Sequence, residues 1–180
     1  MAEADEKAKL REQLRQLRPQ RFTKDPFLHL LSIPQIREAK VITSYISYGL
    51  EPSTSSLNAE LLENNKVVLL PRISHNSLDW VRWSGDFEDL EQRGNLLEPI
   101  GESEKDLSII DVVILPALYI DKDGFRLGKG GGYYDKSLPL LNAWKIALVH
   151  EGEVGDDQLP VEPHDVSVDA VATPNNVRVF

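Results

Sequence analysis

Four short apolar runs, set between stretches of helical period, constrain the fold of this chain most. They cover residues 40–47, 67–70, 109–116 and 144–149, and two of them close on proline, at Pro71 and Pro116. Val67-Val68-Leu69-Leu70 and Val112-Val113-Ile114-Leu115 do not alternate with polar residues. Such runs suit strands buried on both faces, the kind found in parallel sheets covered by helices. Residues 55–65 supply one covering helix, with Leu57, Leu61 and Leu62 on its apolar side. Helix alternating with strand makes βαβ units. The expectation is an α/β fold: a three-layer α/β/α domain with an open, mostly parallel sheet. At 180 residues, the span 1–180 suits one domain with a sizeable core.

The remaining segments read as follows. Residues 4–18 form an amphipathic helix through Leu10, Leu14 and Leu17, ended by Pro19. Its leucines are expected in the core, with Arg15 and Arg18 on a solvated face. Asp25-Pro26 caps a short helix that stops near Pro34. Residues 78–83 alternate as an edge strand or flap, and Trp80 and Trp83 are expected to pack in the core rather than stack on a ligand. Residues 86–106 read as an acidic connection, and residues 133–141 as a helix. His150 and Glu151 follow a strand and are weak site candidates.

Charge and composition then remove whole classes. The net charge is −9, which argues against a nucleic-acid surface. An acidic chain that binds an anion must gather its cations locally. The absence of cysteine excludes disulfides, thiolate catalysis and thiolate metal sites. No run of about 18 apolar residues is present, so no membrane span is expected. The charged N-terminus has no apolar core of a secretory signal. The expectation is a cytoplasmic protein, acting as a monomer.

The chemistry concentrates in residues 123–135, which hold Arg126, Lys129, five glycines and two tyrosines between aspartates. Glycine backbone can bring N–H groups close to an anion. Arg126 and Lys129 add positive charge, and Asp135 can hold a cation against the same phosphates. The run directly follows a strand, where open α/β sheets bind ligands at the carboxyl end. The generic phosphate motifs fail. Gly124 to Gly128 is one residue short of a Walker A loop, and Gly130 replaces its hydroxyl residue. Tyr133 stands where a dinucleotide fingerprint needs its third glycine. By residues alone, a glycine-rich surface turn stays open beside a phosphate cradle.

The string R-L-G-K-G-G-G-Y-Y-D at residues 126–135 resembles the signature of the 5-formyltetrahydrofolate cyclo-ligase family. Three further stretches resemble it in the same order: residues 46–54, the strand ending in Pro71-Arg72, and L-P-V-E-P-H-D at 159–165 followed by V-D at 168–169. The segment Lys7-Ala8-Lys9-Leu10-Arg11 is similar to the family's N-terminal K-x-x-L-R element. By that resemblance residues 7–11 contribute to an ATP site together with Arg126, Leu127, Gly128, Lys129, Gly130, Gly131, Gly132, Tyr133 and Tyr134. Arg11, Ile46, Glu51, Lys129, Gly130, Gly131, Gly132 and Tyr133 would touch the folate. Asp135 and Asp165 would hold Mg2+. Arg126 and Lys129 would carry the charge of the reaction.

The resemblance implies ATP-dependent closure of 5-formyltetrahydrofolate to 5,10-methenyltetrahydrofolate, with ATP and Mg2+ as the required small molecules and no nucleic-acid or membrane partner. Rivals from the residues are a ligase or kinase acting on another small metabolite, a non-catalytic nucleotide-binding regulator, and, by fold alone, a sugar-phosphate isomerase-like protein.

Overall fold

The computed structural model describes residues 2–180, with side chains from Glu6 onward. Its strands are β1 (Val41–Thr43), β2 (Val67–Ser74), β3 (Ser77–Trp83), β4 (Leu90–Arg93), β5 (Leu96–Pro99), β6 (Val112–Pro116), β7 (Tyr119–Ile120), β8 (Arg126–Leu127), β9 (Trp144–Leu148), β10 (Ala170–Ala172) and β11 (Val177–Val179). Seven of them form one sheet in the order β11-β10-β9-β6-β1-β2-β3. The inner strands β10, β9, β6, β1 and β2 are parallel. Only the edges, β3 and β11, run antiparallel. The mostly parallel α/β sheet expected from the apolar runs is therefore present.

Alternation along β6 explains its unbroken apolar character. Val112 and Ile114 point to one face, Val113 and Leu115 to the other, and all four are buried. The first face packs under α3 (Ser55–Glu63), α2 (Pro34–Glu38) and a 3-10 turn, through Leu57, Leu61, Ile36 and Leu30. The second face packs on Leu138 and Leu141, with Trp80 of β3 beside them in the same cluster. Here the expected helix over residues 133–141 is only one turn, α4 (Tyr133–Ser137), followed by a 3-10 turn at Leu138–Leu140. Pro139 lacks the N–H that an α-helix would need and crowds the preceding turn.

Two other segments differ from the sequence reading. The first helix, α1 (Ala2–Arg21), runs through Pro19, and Phe22 N still donates to Arg18 O at 2.9 Å. Its polarity is inverted at three positions: Leu17 is exposed, whereas Lys7 and Arg18 are buried. The reason is where the helix lies. It crosses polar loops beyond the strands' carboxyl ends, so cations face inward beside half-buried Leu10 and Leu14. Within residues 86–106, β4 and β5 pair into a hairpin where a connection was expected. Trp80 and Trp83 are buried in the core, as expected. No helix among the described residues is long and apolar enough to cross a membrane.

The topology itself picks out one crevice. From β1 the chain crosses over α3 to β2 on one side, then returns to β6 on the other. Strand order reverses between β1 and β6, and ligands of open α/β sheets bind beyond the carboxyl ends at such a point.

Candidate active site

A cleft of about 470 Å³ occupies that crevice. Its walls are the segment after β1, the corner after β6, the glycine loop, one face of α1, the 159–165 loop and the tip of the β4–β5 hairpin. Lys7, Arg11, Ile46, Glu51, residues 126–135 and Asp165 all line it. Ala8 and Lys9 are exposed and Leu10 is half-buried, and none of the three lines the cleft. A helix turning every 3.6 residues puts positions 7, 11 and 18 on one face and positions 8 and 9 on another.

Asp121 sets up the glycine loop. Its buried carboxylate accepts from Asp123 N (2.9 Å), Phe125 N (2.8 Å) and Leu159 N (3.1 Å). The turn between β7 and β8 is thereby tied to the 159–165 loop. Beyond β8 the chain needs left-handed backbone at Gly130 (φ 106) and Gly132 (φ 67). Arg11 Nε donates to Gly128 O at 2.9 Å, and Arg15 Nη2 to Lys129 O at 3.1 Å. Because a trans peptide opposes its C=O and N–H, the amides that follow point away from α1. Among the described residues, no N–H of residues 128–132 donates to a protein acceptor. These are free donors on a loop without bulk, as an anion cradle requires.

Three of the candidate cations, Lys129, Arg126 and Lys7, each hold a candidate carboxylate. Lys129 Nζ lies 2.6 Å from Glu51 Oε1 and 3.6 Å from the centre of the Tyr48 ring. Glu51 is buried, and its other oxygen accepts from Tyr48 N at 3.0 Å. Arg126 Nη1 donates to Asp135 Oδ1 at 2.8 Å and to Val166 O at 3.3 Å. Burial lowers the Arg126 pKa, and Asp135 opposes the shift. Lys7 Nζ donates to Asp165 Oδ2 at 2.5 Å and Glu162 Oε2 at 3.0 Å. Burial alone would lower Lys7, but those two carboxylates outweigh it and raise its pKa. Burial would likewise raise Asp165, but the Glu162 N–H and Lys7 hold it below the ordinary range. Desolvation, then Glu51, raise the Tyr134 hydroxyl, so it stays a neutral phenol.

Ligand atoms of Glu162, His164 and Asp165 lie within 4.8 Å of one another. Asp135 stands outside that cluster, on the Arg126 side of the cleft. Asp135 Oδ2 and Asp165 Oδ1 have no protein donor among the described residues. Hard carboxylate oxygens left free on a cleft with an anion cradle fit Mg2+.

Sequence reasoning passed over Arg18, Tyr45, Tyr48, Glu162 and the hairpin residues Leu96 and Leu97, all of which line the cleft. Arg18 was findable: it falls on the same helical face as Lys7 and Arg11. The hairpin leaves no comparable signal, because its position comes from tertiary contacts such as buried Glu98 accepting from Ile73 N at 2.9 Å.

A parallel sheet with a glycine cradle and paired charges at its switch point defines a class, the small-molecule α/β enzymes. Within that class, the chain belongs to the 5-formyltetrahydrofolate cyclo-ligase family, which it matches over residues 3–174. It is 34% identical over 151 residues to the 5-formyltetrahydrofolate cyclo-ligase of Mycolicibacterium smegmatis, covering 75% of this chain and 74% of that one. It is 30% identical over 156 residues to the enzyme of that name from Escherichia coli K12, covering 82% and 85%. The NMR structure of Aquifex aeolicus 5,10-methenyltetrahydrofolate synthetase superposes with a TM-score of 0.79 at 26% identity, over 96% of this chain and 92% of that one.

Proposed function

We propose that this protein closes 5-formyltetrahydrofolate to 5,10-methenyltetrahydrofolate at the expense of ATP, releasing ADP and phosphate. We also read residues 1–180 as one domain acting as a cytoplasmic monomer. The observation that carries the reaction is the two-sided cleft: loop N–H groups without a partner among the described residues, with Arg126, on one side, buried Glu51 beside Tyr45, Ile46 and Tyr48 on the other, and Lys129 reaching from the loop to Glu51 between them. The first side suits a triphosphate. The second suits a flat ring with an N–H edge, which a carboxylate can receive through two bonds.

The chemistry needs no nucleophilic side chain. The formyl oxygen attacks the γ-phosphorus of ATP and the bond to ADP breaks. N10 then attacks the formyl carbon and loses its proton, and the carbon–oxygen bond breaks to release phosphate. Lys129, Arg126 and the cradle N–H groups sit where negative charge develops, so their contribution is orientation and electrostatics. Lys7 and Arg11 hold the nucleotide from α1, and Tyr133 and Tyr134 form the wall between the two substrates. Asp135 and Asp165 would hold Mg2+ through their free oxygens, and the ion would supply charge neutralisation at the phosphates.

The test is to mix the protein with 5-formyltetrahydrofolate, with and without ATP and Mg2+, and follow methenyl absorbance together with ADP. Both should appear in equal amounts, and only with ATP. ADP release without the methenyl band would favour a kinase or ligase on another metabolite, and nucleotide binding without turnover would favour a regulator.

A further inference from the structure

Behind the cleft lies a buried polar chain that the reaction above does not use. Arg18 Nε and Nη2 donate to the two oxygens of Glu153 at 2.8 and 2.7 Å, and Nη2 also donates to Ala117 O at 2.6 Å. Glu153 is fully buried, and its Oε2 also accepts from His150 N at 2.9 Å. His150, fully buried as well, places Nε2 2.9 Å from Leu50 O. A carbonyl only accepts, so Nε2 carries the proton and donates. Nδ1 meets no partner among the described residues. The imidazole is further fixed by the edge of Phe22, at 5.5 Å between ring centres.

This chain joins two halves of the site. Arg18 belongs to α1, which carries Lys7 and Arg11. Leu50 immediately precedes Glu51. We propose that His150 is a positioning residue for the folate side: anchored through Glu153 and Arg18, it holds the Leu50 peptide so that Glu51 faces the ring edge of the substrate. Leu50 is itself substantially exposed, and among the described residues Glu51 N reaches only Tyr48 O, at 3.3 Å; beyond Glu51 the loop is tied again where Tyr45 Oη donates to Pro52 O at 2.9 Å. Without the imidazole bond, Glu51 would sample orientations that miss the substrate, while the glycine cradle, fixed by Asp121 and Arg11, would be unaffected. Affinity for the folate is therefore under the control of a residue that touches no substrate. The inference rests on the cyclo-ligase reading.

The experiment is steady-state kinetics over both substrates, with thermal melts, for wild type, His150→Ala, His150→Met and His150→Gln. His150→Ala and His150→Met should raise the KM for 5-formyltetrahydrofolate about tenfold, with kcat and the KM for ATP changed less than about twofold. His150→Gln, whose amide can donate to the same carbonyl, should recover most of the loss. An unchanged folate KM in a folded apolar variant overturns the inference. So does an equal rise in both KM values, a glutamine variant no better than alanine, or failure of both apolar variants to fold, which would make the bond purely structural. A wild type that forms no methenyl product sinks the cyclo-ligase reading itself, and this inference with it.

Discussion

Lys129 does two things that pull in different directions. In the ligand-free molecule its ammonium neutralises buried Glu51 at 2.6 Å. In the proposed reaction it must face the phosphates. Lys129→Ala should therefore lower kcat/KM by about a hundredfold or more, the usual cost of losing one preorganised charge or donor at a developing anion. Stability should fall too, by about 1–3 kcal/mol, because Glu51 loses its charged partner and keeps Tyr48 N. Proteins with about 5–15 kcal/mol of stability stay folded after such a loss, so the two effects separate in kinetics measured beside a denaturant titration. An alanine variant with wild-type efficiency would remove Lys129 from the reaction. Lys129 and Arg126 stood out because a glycine loop after a buried strand has few structural uses for charge, whereas Glu51, on the loop after β1, was singled out by the family resemblance alone; all three line the cleft. Arg18 was passed over because an arginine on a basic helix looks solvated, although it shares a helical face with Lys7 and Arg11, and Glu153 left no signal at all, its partner lying 135 positions away.

The first helix shows how an element's role can invert its pattern. Leucines at a helical spacing argued for a core-facing stripe, yet α1 is held largely by polar contacts to the loops it crosses. Lys7, bound to Asp165 and Glu162, clasps its N-terminal half to the 159–165 loop. That clasp has a definite pH window. Asp165 titrates below its ordinary value, so its contribution is complete above pH 3.8 and is lost as pH falls through the lowered pKa. Lys7 titrates above its ordinary value, so its contribution is complete below pH 10.5 and is lost as pH rises through the raised pKa. The difference in Tm between wild type and Lys7→Met should hold steady between those limits and shrink beyond either. A difference that grew on acidification would show that the clasp is not the source. The β4–β5 hairpin was hidden for another reason: strands of four residues, rich in charge, give no period to read. The strands of the sheet were visible because burial on both faces leaves nowhere for a polar residue.

Strand identity and strand order are different kinds of information. Apolar runs name the strands, but only the crossovers decide that β1 lies between β6 and β2 and so where the crevice opens. The site then draws on segments from both ends of the chain, and one of the ties between them is a buried ion pair. Arg18 and Glu153 are both nearly or fully buried and share two hydrogen bonds. A buried pair of this kind adds little over an apolar replacement, since both charges lost their hydration on folding. Breaking it is another matter. Arg18→Met leaves the Glu153 carboxylate buried, with His150 N as its remaining partner and no opposing charge, and should cost about 3–5 kcal/mol. For a chain of this length each kcal/mol moves Tm by about 2–4 °C, so the melt should fall by about 6–20 °C. Adding Glu153→Gln removes the stranded charge while keeping an acceptor for His150 N, and should restore a substantial part of that loss. If the double variant melts no higher than Arg18→Met alone, the instability comes from lost packing of the long arginine stem across Ala117, and the attachment of α1 to the sheet is apolar rather than ionic.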